Sequence, residues 1–125
     1  MTKVEIINMV ASHYNEANRG ISDNGDTCEY LTIDGRMCAV GMCMTDEAMD
    51  TWKDFNSGVY SLTAKLEDEG EELDSIFKDE YKGHSESFWI ELQNFHDESR
   101  NWDEFGLTVQ GESDFKRMIK YYKNK

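Results

Sequence analysis

Three cysteines, a His-Asp pair and one carboxylate-rich run are the residues of this chain whose types and spacing bear on chemistry. Cys28, Cys38 and Cys43 are separated by ten and five residues. Structural zinc sites favour closely paired thiolates such as C-x-x-C, which bring two ligands to one metal from a tight turn. The wider gaps here favour three small buried hydrophobes, with structural zinc as the alternative. His96-Asp97, joined by His84 and by Asp103 or Asp114, contains the ligand types of metal-dependent phosphoester hydrolysis. Adjacent residues on a helix point about 100° apart, however. A semi-buried His96 bonded to a neighbour is the competing reading. Asn101, Asp103, Gly106 and Glu112 match positions one, three, six and twelve of an EF-hand loop, but Phe105 puts no side-chain oxygen at position five. The chain has no G-x-S-x-G element, no Cys-His pair in a supporting context, and no G-x-G-x-x-G or Walker pattern. No catalytic residue, metal or cofactor is therefore expected.

The carboxylates are concentrated between residues 67 and 80. Glu67, Asp68, Glu69, Glu71, Glu72, Asp74, Asp79 and Glu80 are opposed there only by Lys78. The whole chain has 13 basic and 26 acidic residues, a net charge of −13. Such a field repels nucleic acid and anionic membranes, and favours cations, basic proteins or simple solvation. The first of these carboxylates, Glu67, Asp68, Glu69, Glu71, Glu72 and Asp74, are the candidate partner-binding surface. They are set against the plainer reading of a solvated face.

These groups must be positioned by a chain of 125 residues, 38% of them hydrophobic, which suits one globular domain spanning 1–125. Proline is absent, so glycines punctuate. Thr2 and Glu5 form a capping-box pattern, and Ile7, Val10, Ala11 and Tyr14 have helical spacing, predicting a helix over 3–18 that stops near Gly20. Residues 28–33 and 36–41 read as two strands around Asp34-Gly35, a two-residue turn that pairs Ile33 with Arg36 and Leu31 with Cys38. Thr45 caps a helix over 46–56 with Ala48, Trp52 and Phe55 inward. A further helix is expected over 59–66, and a short one around Leu73, Ile76 and Phe77. Ser85 caps another over 86–98, a loop around Trp102 and Phe105 covers 99–111, and a last helix follows over 113–123. Two strands do not make an independent sheet, and 105–109 is the candidate third strand. The fold class expected is α+β, with four or five helices packed around a β-hairpin. The N-terminal residues read as a helix start rather than a leader, and no apolar run approaches a membrane span. A cytoplasmic chain with reduced thiols is expected.

Cys28-x-Tyr30, then Asp34-Gly35-Arg36-Met37-Cys38-Ala39-Val40-Gly41, then Leu92-Gln93-x-x-His96-Asp97 and Trp102, resemble a group of small uncharacterised proteins of tailed bacteriophages. In that group a D-G-x-x-C-A-V-G hairpin is followed by an acidic stretch and a helix bearing L-Q-x-x-H-D. The resemblance covers about residues 28–102. Met42 departs from it, standing where the group often has Cys or a basic residue. The resemblance implies no chemistry. It implies a phage origin and a host-directed or anti-defence role. Two non-enzymatic mechanisms follow as expectations: an acidic surface that engages a basic host protein or imitates nucleic acid, and a pocket that sequesters a small nucleotide-like ligand. For the pocket the candidates are Tyr30, Arg36, His96, Asp97 and Trp102, since arginine offers a fork for phosphate and the aromatic rings a stacking face.

Overall fold

The computed structural model describes residues 1–21, 29–55 and 57–125. Among them the architecture is α+β: five α-helices around small antiparallel pairings, with 3₁₀ turns between.

Helix α1 (Lys3–His13) starts at the expected capping box. The Glu5 amide donates to Thr2 Oγ1 at 3.1 Å and the Thr2 amide to Glu5 Oε1 at 2.8 Å. Ile6, Ile7 and Val10 are buried. The helix ends five residues before the expected boundary because Asn15 and Asn18 offer the backbone a competing set of bonds. The Asn18 amide donates to Asn15 Oδ1, the Asn15 amide to Asn18 Oδ1, and Asn18 Nδ2 to the His13 carbonyl.

The segment carrying Asp34-Gly35 is a turn with one bridge, not a two-stranded ladder. Leu31 faces Met37, so the register is one residue away from the expected pairing of Leu31 with Cys38. The reason lies in Thr32. Its amide donates to the Arg36 carbonyl at 2.8 Å, its carbonyl accepts from the Gly35 amide at 3.1 Å, and its Oγ1 accepts from the Arg36 amide at 2.9 Å. Three residues, Ile33, Asp34 and Gly35, are thereby enclosed instead of two, with Gly35 at φ +90°. Beyond the bridge the chain does not continue as a strand, but coils into a 3₁₀ turn at Gly41–Cys43. The Thr45 amide then donates to the Ile76 carbonyl and the Lys78 amide to the Cys43 carbonyl, around a Met44–Phe77 bridge. Gly35→Val is expected to lower stability by about 1 kcal/mol or more, read in a thermal melt, because a β-branched residue resists positive φ. Space is not at issue, since none of the described residues lies within 4 Å of a Cβ built there.

Helix α2 (Asp46–Trp52) is capped by Thr45 as expected, with the Ala48 amide donating to Thr45 Oγ1 at 3.1 Å. It is one turn shorter than predicted, and Trp52 meets Phe55 edge to face just beyond it. Helix α3 (Val59–Asp68) turns Val59, Leu62, Thr63 and Leu66 inward, and packs on α4 (Glu86–Asp97), which Ser85 caps. Phe77 stacks on Trp89 with centroids 4.2 Å apart at the centre of the core.

Trp102–Asp103 (β1) pairs with Gly106–Leu107 (β2) in a two-residue antiparallel hairpin. The expected strand over 105–109 is therefore partly present, but its partner is Trp102–Asp103 rather than the 31–37 turn. Thr108 then caps α5 (Val109–Tyr122), which begins four residues earlier than predicted and packs on α1.

Candidate functional site

The chemistry-bearing residues of the L-Q-x-x-H-D element converge at the C-terminal end of α4. Gln93, His96 and Asp97 are one helical turn apart, so their side chains meet on one face. The Gln93 Oε1 accepts from the buried Val40 amide at 3.1 Å, and its Nε2 donates to Asp97 Oδ1 at 2.7 Å. His96 Nδ1 lies 2.7 Å from the same Asp97 oxygen. With a carboxylate as acceptor, the neutral imidazole carries its proton on Nδ1, leaving Nε2 as a bare lone pair. That Nε2 is buried, with no hydrogen-bond partner among the described residues. The Tyr14 ring and the imidazole meet edge to face, centroids 4.6 Å apart. His96 is wholly buried. Burial holds its pKa below the ordinary imidazole value, and the bond to Asp97 opposes the shift without cancelling it.

The end of the helix is closed by two side chains from elsewhere. Arg19 donates through one guanidinium nitrogen to the carbonyls of His96 and Asp97, at 3.1 and 3.2 Å. Trp102 Nε1 donates to the His96 carbonyl at 3.0 Å. These are the last carbonyls of α4, which lack partners within the helix, and a cation there also complements the helix dipole. Burial pushes the Arg19 pKa down, and the Asp97 charge is the largest influence raising it. Arg36 joins through the same residue, donating to the Arg19 carbonyl at 3.1 Å while its Nε grips both oxygens of Asp34.

Of the five pocket candidates, Arg36, His96, Asp97 and Trp102 are thus tied together through Arg19. Tyr30 is fully buried and donates its hydroxyl to the Ser57 carbonyl at 2.7 Å. Trp102 is 3% exposed, between Tyr14 and Phe95. It plugs the edge of the core and has no face open for a base. The Arg36 fork is engaged by Asp34. This constellation is a closed polar network that fastens the 31–37 turn and the residues after α1 to the end of α4. Its members that sequence reasoning passed over are Arg19, Tyr14 and Gln93. Gln93 was visible within the quoted motif. Arg19 left no local trace, since its partners are 77 residues away.

His84 and His96 flank opposite ends of α4, about 18 Å apart along the axis at 1.5 Å per residue, so they do not share an ion. Asp103 Oδ1 accepts from the Phe105 amide in a turn, and Asn101 is buried, its Nδ2 donating to the Phe95 carbonyl. The EF-hand residues are thereby divided between a hairpin, a 3₁₀ turn and α5. Among the described residues no group of three or more His, Cys, Asp or Glu is placed to hold a metal. Cys38 and Cys43 are buried free thiols, and Cys43 is pushed well up by burial. Cys28 lies outside the described residues.

The acidic run has a different character. Glu67 and Asp68 finish α3, Glu69 is its C-cap, and Glu71 and Glu72 lead into the 3₁₀ turn Leu73–Ile76. All five are exposed. Glu71 accepts from the Ser75 hydroxyl. Asp74 differs: it is half-buried, and its Oδ2 accepts from the Gly83 amide at 3.1 Å, so it belongs to the fold. Among the described residues no helix is long and apolar enough to cross a membrane. No family model, curated protein or solved structure matches this chain.

Proposed function

We propose that this chain is a phage-type binding protein, not an enzyme, which acts on a host component by engaging a basic protein surface with its acidic face. One observation carries the reading. Glu67, Asp68 and Glu69 are placed at the C-terminus of α3, the end where the helix dipole disfavours negative charge. Each unpaired acid in that position costs about 0.3–1 kcal/mol, and among the described residues no basic side chain forms an ion pair with Glu67, Asp68, Glu69 or Glu72. A solvated face is served equally well by acids placed elsewhere. A cluster held at an unfavourable position suits a surface whose counter-charge arrives from a partner. The resemblance to tailed-phage proteins makes that partner a host component.

Sequestration of a small nucleotide-like ligand draws on the network around His96. Its aromatic members are buried and its arginines are bonded to carboxylate or carbonyl oxygens, so the acidic face is the better supported surface.

The test is capture from host lysate at about 50 and 200 mM salt, over which the Debye length shortens markedly, with mass spectrometry of the bound proteins. Replacing Glu67, Asp68 and Glu69 with Gln, Asn and Gln is expected to abolish the low-salt capture of a basic protein. The same change is expected to raise stability, by roughly 0.3–1 kcal/mol per removed charge at most. Capture that is indifferent to both salt and these changes overturns the reading.

A further inference from the structure

A second surface combines acid with exposed apolar side chains. Asp46, Met49 and Asp50 of α2 and Lys53 at its C-cap are spaced i, i+3, i+4 and i+7, and with Glu47 and Leu31 they line a shallow, open cleft of about 460 Å³ between the helix and the 31–37 turn. Leu31 and Met49 are half-buried and form its apolar floor. The Met49 Cε sits 3.1 Å from where a Cβ on Gly41 would be, so the methionine is seated on the 3₁₀ turn below. Met37 stands opposite Leu31 in the bridge, on the same side, and is 39% exposed. Ile33, two residues beyond Leu31 at the loop tip, is wholly exposed. A three-residue turn has no need of isoleucine at its tip, and loops favour polar residues there.

Charge decides what this surface suits. Asp46, Glu47 and Asp50 rim the cleft, and among the described residues Lys53, which contacts Asp50 at 3.4 Å, is the one cation lining it. The helix dipole accounts for Asp46 and Glu47 in the first turn of α2, but not for Asp50 beyond it. Anionic and neutral apolar segments are disfavoured by this rim. A cationic segment with one or two large apolar side chains matches both parts, and methionine adapts its shape to such anchors.

We infer that the cleft between α2 and the 31–37 turn docks a short cationic amphipathic segment of a partner protein, its apolar side chains on Leu31, Ile33, Met37 and Met49 and its basic groups on Glu47 and Asp50. This surface is separate in sequence and in composition from the acidic run at 67–72, and the inference does not rest on that run.

The probe is a synthetic amphipathic Leu/Lys peptide, compared with oligolysine of equal charge, with binding followed by titration and by amide chemical-shift mapping on the full chain. The amphipathic peptide is expected to bind more tightly, shifting amides in 31–37 and 46–53. Ile33→Ser with Met37→Ser is expected to weaken it about tenfold while leaving oligolysine unchanged. Both residues are exposed, so the melt checks that the fold is retained. Glu47→Gln with Asp50→Asn is expected to weaken both peptides and to flatten the salt dependence. The Glu67, Asp68 and Glu69 triple variant is expected to leave amphipathic binding in place, which separates this site from the acidic run. Equal binding of the two peptides, shifts confined to 67–72, or no binding overturns the inference.

Discussion

Replacing Gly111 with alanine is expected to destabilise the protein by about 2 kcal/mol, although the position is inside a helix. On helix propensity alone the change would stabilise by about 1 kcal/mol, since glycine is the poorest helix former after proline. Packing opposes it. A Cβ on Gly111 falls 2.2 Å from the Asn101 carbonyl oxygen and 2.9 Å from its carbon, both backbone atoms with no freedom to swing aside. The first turn of α5 is pressed onto the 3₁₀ turn Ser99–Asn101 by two bonds of Thr108. Its amide donates to the Asn101 carbonyl at 2.9 Å, and its hydroxyl to the Arg100 carbonyl at 2.5 Å. Admitting a methyl group means lifting α5 away from both acceptors. Overpacking of this kind costs about 1–3 kcal/mol, and loosening two hydrogen bonds adds about 1 kcal/mol each, so sterics outweigh propensity. Urea unfolding measures the difference. The comparison variant is Gly58→Ser at the N-cap of α3, where nothing lies within 4 Å and the new hydroxyl gains a few tenths of a kcal/mol. An alanine at 111 as stable as the glycine would show that α5 rides on the turn more loosely than its bonds indicate.

What the sequence made legible was local. Thr2, Thr45 and Ser85 each cap the helix they announce, because a cap needs only a side-chain oxygen and an amide two or three residues on. The α+β class followed from periodicity in the same way. Errors arose where a side chain competed with the backbone. Asn15 and Asn18 end α1 early, and Thr32 widens the turn around Asp34-Gly35, moving the register by one residue. Moving a strand register by one residue exchanges the two faces, so a single threonine contact undid the expected arrangement of Leu31 and Cys38. The network around His96 was half legible. The sequence offered a semi-buried His96 bonded to a neighbour, but adjacent residues of a helix diverge by about 100°, and only the structure shows Gln93 and His96 both reaching the Asp97 carboxylate. Arg19 became its key member only through contact across the fold. Trp102 was expected among the ligand-stacking residues, and its bond to the His96 carbonyl at the end of α4 holds it in the edge of the core instead.

Acidification from about pH 7.5 to 5.5 is expected to lower the stability of this protein through His96. The imidazole is wholly buried and its pKa is held down by that burial, whereas in the unfolded chain it titrates near its ordinary value of about 6.5. A depressed folded pKa means that the native state binds fewer protons than the unfolded state over the interval between the two values. Stability rises with pH there. The contribution is complete above about pH 6.5 and is lost as pH falls toward the folded pKa. His84 acts in the same direction, its pKa lowered chiefly by burial, but it is only partly buried. Replacing His96 with Gln is expected to flatten most of the slope between pH 7.5 and 5.5, and what remains measures His84 and other groups. Asp97 separates a titrating His96 from a merely structural one. Asp97→Ala takes this acceptor from the buried Nδ1–H of His96, and from Gln93 Nε2 as well, an expected cost of roughly 1–3 kcal/mol at neutral pH. Asp97→Asn keeps an oxygen for both donors but removes the charge that supports the imidazolium. The folded pKa of His96 then falls further, so the loss of stability continues to a lower pH than in the parent protein. Thermal melts across this range in the parent and the three variants decide the matter. A parent slope unchanged by His96→Gln would assign the acid sensitivity to His84 and other groups instead.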